Sequence, residues 1–214
     1  MNNPFFSEHC KELVLEKVAT NGLELRSTVD MMKNDPEVAI TAIKQNQDAA
    51  RYIGDKLKKD KDFALDLVSI NPELITFMAK SIRDDDNFML GAISVNGLVL
   101  KHAENLSSKF KAVMCAIRQN PMALQHASKG YQKDRYVVET AVFQNSDSLK
   151  FAHAKIRSDE EIMLKFIEHD ARTIKFATGK LKDDVNFLRK AYDANSKTMD
   201  FVTKKQKAFL VLIS

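Results

Sequence analysis

Several features that define common protein classes are missing from this chain of 214 residues. It has two cysteines, Cys10 and Cys115, too few for a disulfide framework, which favours a reducing compartment. Six glycines and four prolines leave no flexible linker and no low-complexity tract. No apolar run approaches the ~20 residues that span a membrane, and Met1–Ser7 lacks the basic start and apolar core of a secretory signal. We therefore expect neither a secretory leader nor a transmembrane segment.

Motifs of nucleotide-binding and metal-dependent enzymes are also missing from the sequence. Gly179-Lys180 lacks the upstream glycine of a P-loop, and the chain has no Gly-x-Gly-x-x-Gly, Cys-x-x-Cys or His-Glu-x-x-His. His169-Asp170 resembles the His-Asp pair of metal phosphohydrolases, but both residues fall in columns of the repeat described next. The sequence predicts no cofactor, no metal site and no enzymatic activity. It leaves open a dispersed Ser/His/Asp arrangement, since such groups meet in space rather than along the chain.

What the chain does contain is a repeat. Its clearest column holds asparagine, with one aspartate, at intervals of 25 residues apart from a single interval of 24: Asn21, Asn46, Asn71, Asn96, Asn120, Asn145, Asp170 and Asn195. We call these residues the anchors. An aspartate column precedes the apolar run of most repeats: Asp35, Asp60, Asp85, Asp134, Asp159 and Asp184. Six residues after the anchors stand rings: Tyr52, Phe77, His102, His126, Phe151, Phe176 and Phe201. A fixed period over eight anchors is the signature of a repeat array.

One repeat shows how the pattern predicts structure. Asp60 stands where an N-cap belongs, and Asn71 is expected to end the first helix and cap the second. Pro72 then occupies the first position of the second helix, where its missing N–H costs nothing. The apolar face of the first helix is Phe63, Ala64, Leu67 and Val68, and that of the second is Ile75, Met78 and Ile82. Helices of about ten residues are unstable alone, so packing between neighbouring repeats must stabilise them.

These columns predict an all-α fold, a right-handed α-solenoid of about eight two-helix repeats. We expect a single helical repeat domain over residues 1–214, with an N-terminal cap region at 1–10 and a C-terminal tail at 208–214. In the divergent first repeat, Cys10 takes the aspartate position, and Leu13, Val14 and Val18 form the apolar face. The tail either extends the last helix or closes the exposed core. In the short interval, Ser107 and Ser108 are expected to cap in place of aspartate, with a local irregularity.

The columns resemble a short helical repeat family that is catalogued only as a domain of unknown function. The segments DKDFALDLVSINPELITFMAKSIRD and SDEEIMLKFIEHDARTIKFATGKLKDD carry the resemblance best, and it covers about residues 11–207. In that family the repeats occur in proteins of intracellular bacterial pathogens, including translocated effectors, and in large protist proteins. The resemblance implies an α-solenoid that is delivered into a host cell. It implies no reaction and supplies no catalytic residues.

Basic residues form the one candidate binding site. They recur five or twelve residues after an anchor, and we call this set the basic ridge: Arg51, Lys58, Arg83, Lys101, Lys150, Arg157, Lys175 and Lys182. Seven residues are about two helical turns, so the pattern predicts that both rows share one helix face. The simpler explanation, which we favour, is a solvated face with lysines that complement helix dipoles. Exposed aromatic residues for base stacking are not evident in the sequence.

Three functions follow from these observations. The first is a non-enzymatic interaction scaffold, a translocated effector that binds a host protein. The expected location is the cytoplasm, or a host cell cytosol that the protein reaches by a signal-peptide-independent route. The second is an anionic-surface binder that contacts phosphoinositide membranes or nucleic acid through the basic ridge. An enzyme with a site in the groove ranks third. The oligomeric state is left open.

Overall fold

The structure, a computed structural model, describes residues 4–213, and it describes side chains for residues 9–208. All regular elements within residues 4–213 are helical, so the prediction of an all-α repeat fold is confirmed at that level. The chain divides into two compact units, Met1–Ala103 and Glu104–Ser214. Whether they form the single domain expected from the sequence stays a prediction.

Each repeat has three parts. The first helices are Pro4–Thr20, Pro36–Gln45, Lys61–Ile70 and Asp86–Val95 in the first unit, and Phe110–Gln119, Arg135–Gln144, Glu160–His169 and Val185–Ala194 in the second. The 3₁₀ helices that follow are Gly22–Ser27, Gln47–Tyr52, Pro72–Phe77 and Gly97–His102, then Pro121–His126, Ser146–Phe151, Ala171–Phe176 and Ser196–Asp200. The short connecting helices are Asp30–Lys33, Leu57–Lys59 and Lys80–Arg83, then Glu104–Leu106, Tyr131–Lys133, Ala154–Arg157 and Gly179–Asp183. A last α-helix spans Lys204–Ile213.

The aspartate column caps the first helices, as predicted. Asp60 Oδ1 accepts hydrogen bonds from the amides of Asp62 (2.9 Å) and Phe63 (3.0 Å), which have no partner inside the helix. The corresponding aspartates at 35, 85, 134, 159 and 184 make the same kind of bond. The apolar faces behind these caps are buried; Ala64 and Leu67, for example, are 0% exposed. Capping and burial together fix where each first helix begins and which face it turns inward.

The anchors also act as predicted. The Oδ1 atoms of all eight anchors accept a hydrogen bond from the amide two residues on, as Asn71 does from Glu73 at 2.9 Å. Several asparagine amides also reach the preceding repeat. Asn96 Nδ2 donates to Val68 O at 3.2 Å, and Asn195 Nδ2 donates to Ile167 O at 3.0 Å. The side-chain amide therefore ends one helix, starts the next and ties two repeats together.

The second helix of each repeat is not one helix, and that prediction was wrong. The segment Pro72–Phe77 is a 3₁₀ helix, Met78 is extended with φ −76° and ψ 155°, and only then does the short helix Lys80–Arg83 begin. The predicted apolar residues Ile75, Met78 and Ile82 are still buried, at 0%, 2% and 2% exposed. They point inward from three different pieces of backbone rather than from one helical face.

A backbone hydrogen bond between neighbouring repeats explains the break. In the first unit, the amide of Gly54 donates to Lys33 O (2.8 Å) and that of Ala79 to Lys58 O (2.8 Å). In the second unit, Ser128 donates to Ser107 O (3.0 Å), His153 to Gln132 O (2.8 Å) and Thr178 to Arg157 O (2.9 Å). A continuous helix would direct each of these amides to a carbonyl four residues back in its own repeat. The extended residue releases the amide for the preceding repeat instead.

The N-terminal end of the chain differs from the sequence-based picture, since Cys10 is an exposed residue inside the helix Pro4–Thr20 and not a cap. Whether residues 1–10 form a separate cap region stays a prediction. Leu13 is 47% exposed while Val18 is fully buried, because five residues place them about 140° apart around the helix. The tail 208–214 belongs mainly to the helix Lys204–Ile213. The proposed closing lid depends on side chains 209–214, which lie outside the described residues.

The short interval in the repeat leaves one helix without a side-chain cap. The helix Phe110–Gln119 has Lys109 as its N-cap residue, and no side chain accepts from its first amides. Ser107 Oγ instead donates to Glu104 O at 2.7 Å, so the expected serine cap is wrong. The backbone of Lys109, with φ −104° and ψ 118°, is nevertheless close to that of the capping Asp60, with φ −87° and ψ 119°.

Placing the missing acceptor should therefore stabilise the protein. We expect Lys109→Asp to raise the free energy of unfolding by about 1 kcal/mol, because its carboxylate gains the amide partners that the other repeats already have. Lys109→Ala removes the same positive charge without adding an acceptor and serves as the control. Urea denaturation measures both variants. Equal unfolding midpoints for the two would contradict the assignment of Lys109 as an uncapped N-cap.

Candidate binding surfaces

The basic ridge does not lie on one helix face, contrary to the sequence-based prediction. Its first row, Arg51, Lys101, Lys150 and Lys175, lies on the 3₁₀ helices. Its second row, Lys58, Arg83, Arg157 and Lys182, lies on the connecting helices, beyond the break that separates the two elements. Helical phase therefore cannot bring the rows together, and each ridge residue has to be judged by its own contacts.

In the first unit, three ridge cations already have acidic partners. Arg51 Nη2 lies 2.9 Å from Asp48, and Lys58 Nζ lies 2.9 Å from Asp55. Lys101 Nζ donates to both carboxylate oxygens of Glu73 in the preceding repeat, at 2.8 and 3.0 Å. His102 Nε2 lies 3.2 Å from the same carboxylate. These pairs neutralise much of the positive charge that the sequence suggested for this part of the ridge.

The Glu73 cluster shifts two pKa values. The hydrogen bond from Lys101 lowers the pKa of Glu73, which favours its charged carboxylate. Burial lowers the pKa of His102, against the opposing attraction of Glu73. His102 is therefore a neutral packing residue at neutral pH, which fits its place in the ring column rather than in a metal site.

Two ridge arginines donate hydrogen bonds to backbone carbonyls. Arg83 Nε donates to Met78 O at 3.1 Å, and Arg157 Nε donates to Ala152 O at 3.0 Å, in each case to the extended residue at the break. Gln132 occupies the same repeat position, is buried, and donates Nε2 to three carbonyls, Leu124, Gln125 and Ala127, at 3.1–3.2 Å. Arg83 and Arg157 hold the break in shape, so these two ridge residues are structural first.

The second unit keeps three ridge lysines without acidic partners within residues 9–208: Lys150, Lys175 and Lys182. All three are exposed. Lys150 Nζ lies 4.9 Å from the ring centroid of Phe151, and Lys175 Nζ lies 4.6 Å from that of Phe201 in the next repeat. Cation–π contacts of this length orient the ammonium groups while leaving their charge uncompensated. This part of the ridge is a basic surface with ordered side chains.

The ring column itself is half-buried rather than buried. Phe151, Phe176 and Phe201 are each partly exposed beside the ridge lysines of the second unit. The expectation that the sequence offers no exposed aromatic residues was therefore wrong, because it rested on reading the whole column as core packing. Lysine followed by phenylalanine, five and six residues after the anchors Asn145 and Asp170, is the signal that could have revealed this surface.

A second group of exposed rings lies in the second unit, and we call it the aromatic patch: Phe110, Tyr131 and Tyr136. Phe110 is 50% exposed and Tyr136 is 56% exposed. The ring centroid of Phe110 lies 6.1 Å from that of Tyr131 and 6.4 Å from that of Tyr136, so the three rings form one cluster. Tyr131 stands eleven residues after Asn120, as the apolar Ile82 does after Asn71, whereas Phe110 and Tyr136 fall outside the columns described above. The sequence pattern therefore did not predict the patch.

The pair His169-Asp170 has structural roles. Asp170 Oδ1 caps the amide of Arg172 at 2.9 Å, and the Arg172 guanidinium donates back to both carboxylate oxygens. These bonds lower the pKa of Asp170 to about 2. The imidazole of His169 packs edge-on against Phe143, with centroids 5.0 Å apart. The arrangement is that of an anchor residue, not of a metal phosphohydrolase.

Other candidate chemistry is limited to what the described side chains show. Within residues 9–208, no group of three or more His, Cys, Asp or Glu side chains could hold a metal ion. A surface cleft of about 870 Å³ in the first unit is lined by residues of both charges, among them Asp30, Arg51 and Lys56. No helix within the described part of the chain is long and apolar enough to cross a membrane.

The fold and these surfaces define an all-helical repeat protein. Residues 10–58, 60–106 and 112–157 match three copies of the family model described as Domain of unknown function (DUF4116). The chain therefore belongs to the DUF4116 family. No curated protein and no solved structure is significantly similar to it.

Proposed function

We propose that the protein is a non-enzymatic scaffold, with its repeats stacked as a superhelical solenoid, that binds an acidic protein partner. The family resemblance extends the proposal to a translocated effector whose partner is a host protein. The observation that carries the proposal is the contrast between the two halves of the basic ridge. Arg51, Lys58 and Lys101 are neutralised within the first unit, whereas Lys150, Lys175 and Lys182 keep their charge.

The use of the recurring residues within each repeat supports a scaffold. The anchors, the capping residues and the apolar faces all make contacts that hold the repeats together. The exposed positions that remain differ from repeat to repeat, as expected for a protein whose surface rather than a catalytic pocket carries the function. Residual charge beside partly exposed rings is a composition that favours contact with acidic, amphipathic surfaces.

Binding of an anionic surface is the second candidate function. Lysines that alternate with partly exposed aromatic rings are also typical of surfaces that bind single-stranded nucleic acid, where bases stack on the rings. Lys150, Phe151 and Lys175 offer this alternation in the second unit. A phosphoinositide membrane would meet the same lysines through charge alone.

Two triple variants separate these functions. Lys150→Gln/Lys175→Gln/Lys182→Gln removes three unpaired charges, and Arg51→Gln/Lys58→Gln/Lys101→Gln removes three paired charges as the matched control. The immobilised full chain is presented with a cell lysate, with phosphatidylinositol-phosphate vesicles and with oligouridine RNA, at low and high salt. Circular dichroism checks that both variants keep their helical content, since exposed charges contribute little to folding.

We expect the first variant to lose a protein partner that the wild type and the control variant both retain. The loss should be larger at low salt, because exposed charges are screened over ~8 Å at physiological ionic strength. Equal capture by both variants would contradict a role for the unpaired lysines. Loss of vesicle or RNA binding, with no protein partner affected, would instead support the second function.

A further inference from the structure

Two rings of the aromatic patch, Phe110 and Tyr136, occupy positions where the repeat mostly carries polar side chains. Tyr131 stands instead at the position of the buried Ile82. The first two residues of the other first helices with an aspartate cap are Pro36, Glu37, Lys61, Asp62, Asp86, Asn87, Glu160, Glu161, Val185 and Asn186. Acidic residues suit this place because the positive end of the helix dipole favours them. The helix Phe110–Gln119 instead begins with Phe110 and Lys111, and Arg135–Gln144 begins with Arg135 and Tyr136.

Folding does not explain these rings. Phe110 is 50% exposed and Tyr136 is 56% exposed, so neither contributes a full side chain to the core. In two repeats of the first unit the position of Phe110 holds a lysine that bonds the next aspartate cap. Lys11 pairs with Asp35 at 2.9 Å, and Lys61 pairs with Asp85 at 2.6 Å. Phe110 cannot make that bond and contacts Tyr131 and Tyr136 instead. The segment 107–111 also falls between two matched copies of the family model.

The charge around the patch is uncompensated. Lys109, Lys111 and Lys133 are exposed, and none has an ion-pair partner within residues 9–208. Of the other charged neighbours in sequence, Asp134 caps the amide of Val137 at 3.0 Å, and Arg135 is paired with Glu139 and Glu161 at 2.8 and 2.9 Å. An exposed apolar cluster with a rim of unpaired lysines is complementary to an acidic segment that carries an apolar side chain.

The ring geometry favours a peptide over nucleic acid. The Phe110 ring is tilted by 47° to that of Tyr131 and by 32° to that of Tyr136, with centroids 6.1 and 6.4 Å away. The three rings form one compact group of tilted rings rather than a row of parallel stacking faces. Single-stranded nucleic acid needs separate ring faces on which successive bases stack. A compact group of tyrosine and phenylalanine is instead the composition of a protein–protein hot spot.

We propose that the aromatic patch is the docking site of an acidic peptide segment, in which one apolar side chain packs on Phe110 and Tyr136 while flanking carboxylates meet Lys109, Lys111 and Lys133. This site rests on the proposed scaffold function, and it names one surface and the chemistry of its partner. It is separate in sequence from the ridge lysines of the second unit.

Synthetic peptides test the site directly. The probe is a fluorescent peptide with a central leucine between glutamates. A control peptide has serine in place of the leucine. The test variant of the full chain is Phe110→Lys/Tyr136→Glu, which restores residue types that other repeats carry and leaves the net charge unchanged. The control is Val29→Lys/Met31→Glu in the first unit, where the side chains are 64% and 63% exposed. Fluorescence anisotropy measures the dissociation constants, and circular dichroism checks folding.

We expect the leucine peptide to bind the wild type and the control equally, and the test variant at least about tenfold more weakly, as for loss of a hot spot. The serine peptide should also bind at least about tenfold more weakly than the leucine peptide. Equal binding of both peptides, or of the leucine peptide to wild type and test variant, would overturn the site. Loss of binding in the control alone would overturn the site and leave the scaffold function standing. If oligouridine displaces the leucine peptide and binds more tightly than the peptide does, the patch is assigned to nucleic acid instead. If no peptide binds, the proposed docking site is refuted. The ridge variants then test the scaffold function separately.

Discussion

Ile75→Ala is expected to lower the free energy of unfolding by about 2–5 kcal/mol, the cost of truncating a large side chain in a packed core. Ile75 is 0% exposed and lies in the 3₁₀ helix Pro72–Phe77. Replacing it removes three carbons from a packed interior, and the neighbouring backbone is held by its own hydrogen bonds, so the cavity cannot close fully. Urea denaturation followed by circular dichroism measures the change.

Leu13→Ala is the matched control for this variant. Leu13 is 47% exposed, although the sequence pattern placed it on the apolar face of its helix. We expect a loss of less than about 1 kcal/mol, because surface substitutions remove little buried area. Similar losses at both positions would mean that the repeat does not bury the side chains assigned to its core.

The sequence predicted the repeat and its local rules well. Anchors and caps are recognisable because each acts within a few residues: Asn71 accepts from the amide of Glu73, and Asp60 from those of Asp62 and Phe63. The same locality explains the failure at Lys109. Ser107 and Ser108 stand thirteen and twelve residues before Asn120, whereas the capping aspartates stand eleven residues before the next anchor, and Ser107 bonds within its own turn.

The split second helix could not be predicted in the same way. Ile75, Met78 and Ile82 are spaced by three and four residues, which fits one continuous helix as well as three separate pieces. No glycine or proline marks the break at Met78 and Ala79. Its cause is the bond from the amide of Ala79 to Lys58 O, which joins residues in different repeats and leaves no local pattern.

The candidate site shows the same limit. The positions of the ridge cations are visible in the sequence but their partners are not, since Lys101 is neutralised by Glu73 from the preceding repeat. The exposure of Phe110 and Tyr136 follows from the packing of neighbouring helices, which a helical pattern within one repeat does not encode. Residue type identified the charges, while only the fold separated paired cations from unpaired ones.

Ala79→Pro tests the inter-repeat bond that couples the repeats into a scaffold. Ala79 has φ −57° and ψ 148°, and Met78 before it is extended, so proline fits the local backbone on both counts. The substitution removes the amide that donates to Lys58 O at 2.8 Å and leaves that carbonyl without its partner. We expect a loss of about 1–3 kcal/mol, since an unsatisfied group and crowding by the ring both oppose folding.

Ser196→Pro is the control, because it puts proline at the first position of a 3₁₀ helix, where Pro72 and Pro121 already stand in other repeats. It should change stability by less than about 1 kcal/mol and in the stabilising direction, since proline restricts the unfolded chain. The deciding measurement is the urea unfolding free energy of both proline variants beside the wild type. A clear loss for Ala79→Pro with none for Ser196→Pro is the result expected if backbone bonds between repeats hold the scaffold together. Wild-type stability of Ala79→Pro would contradict it.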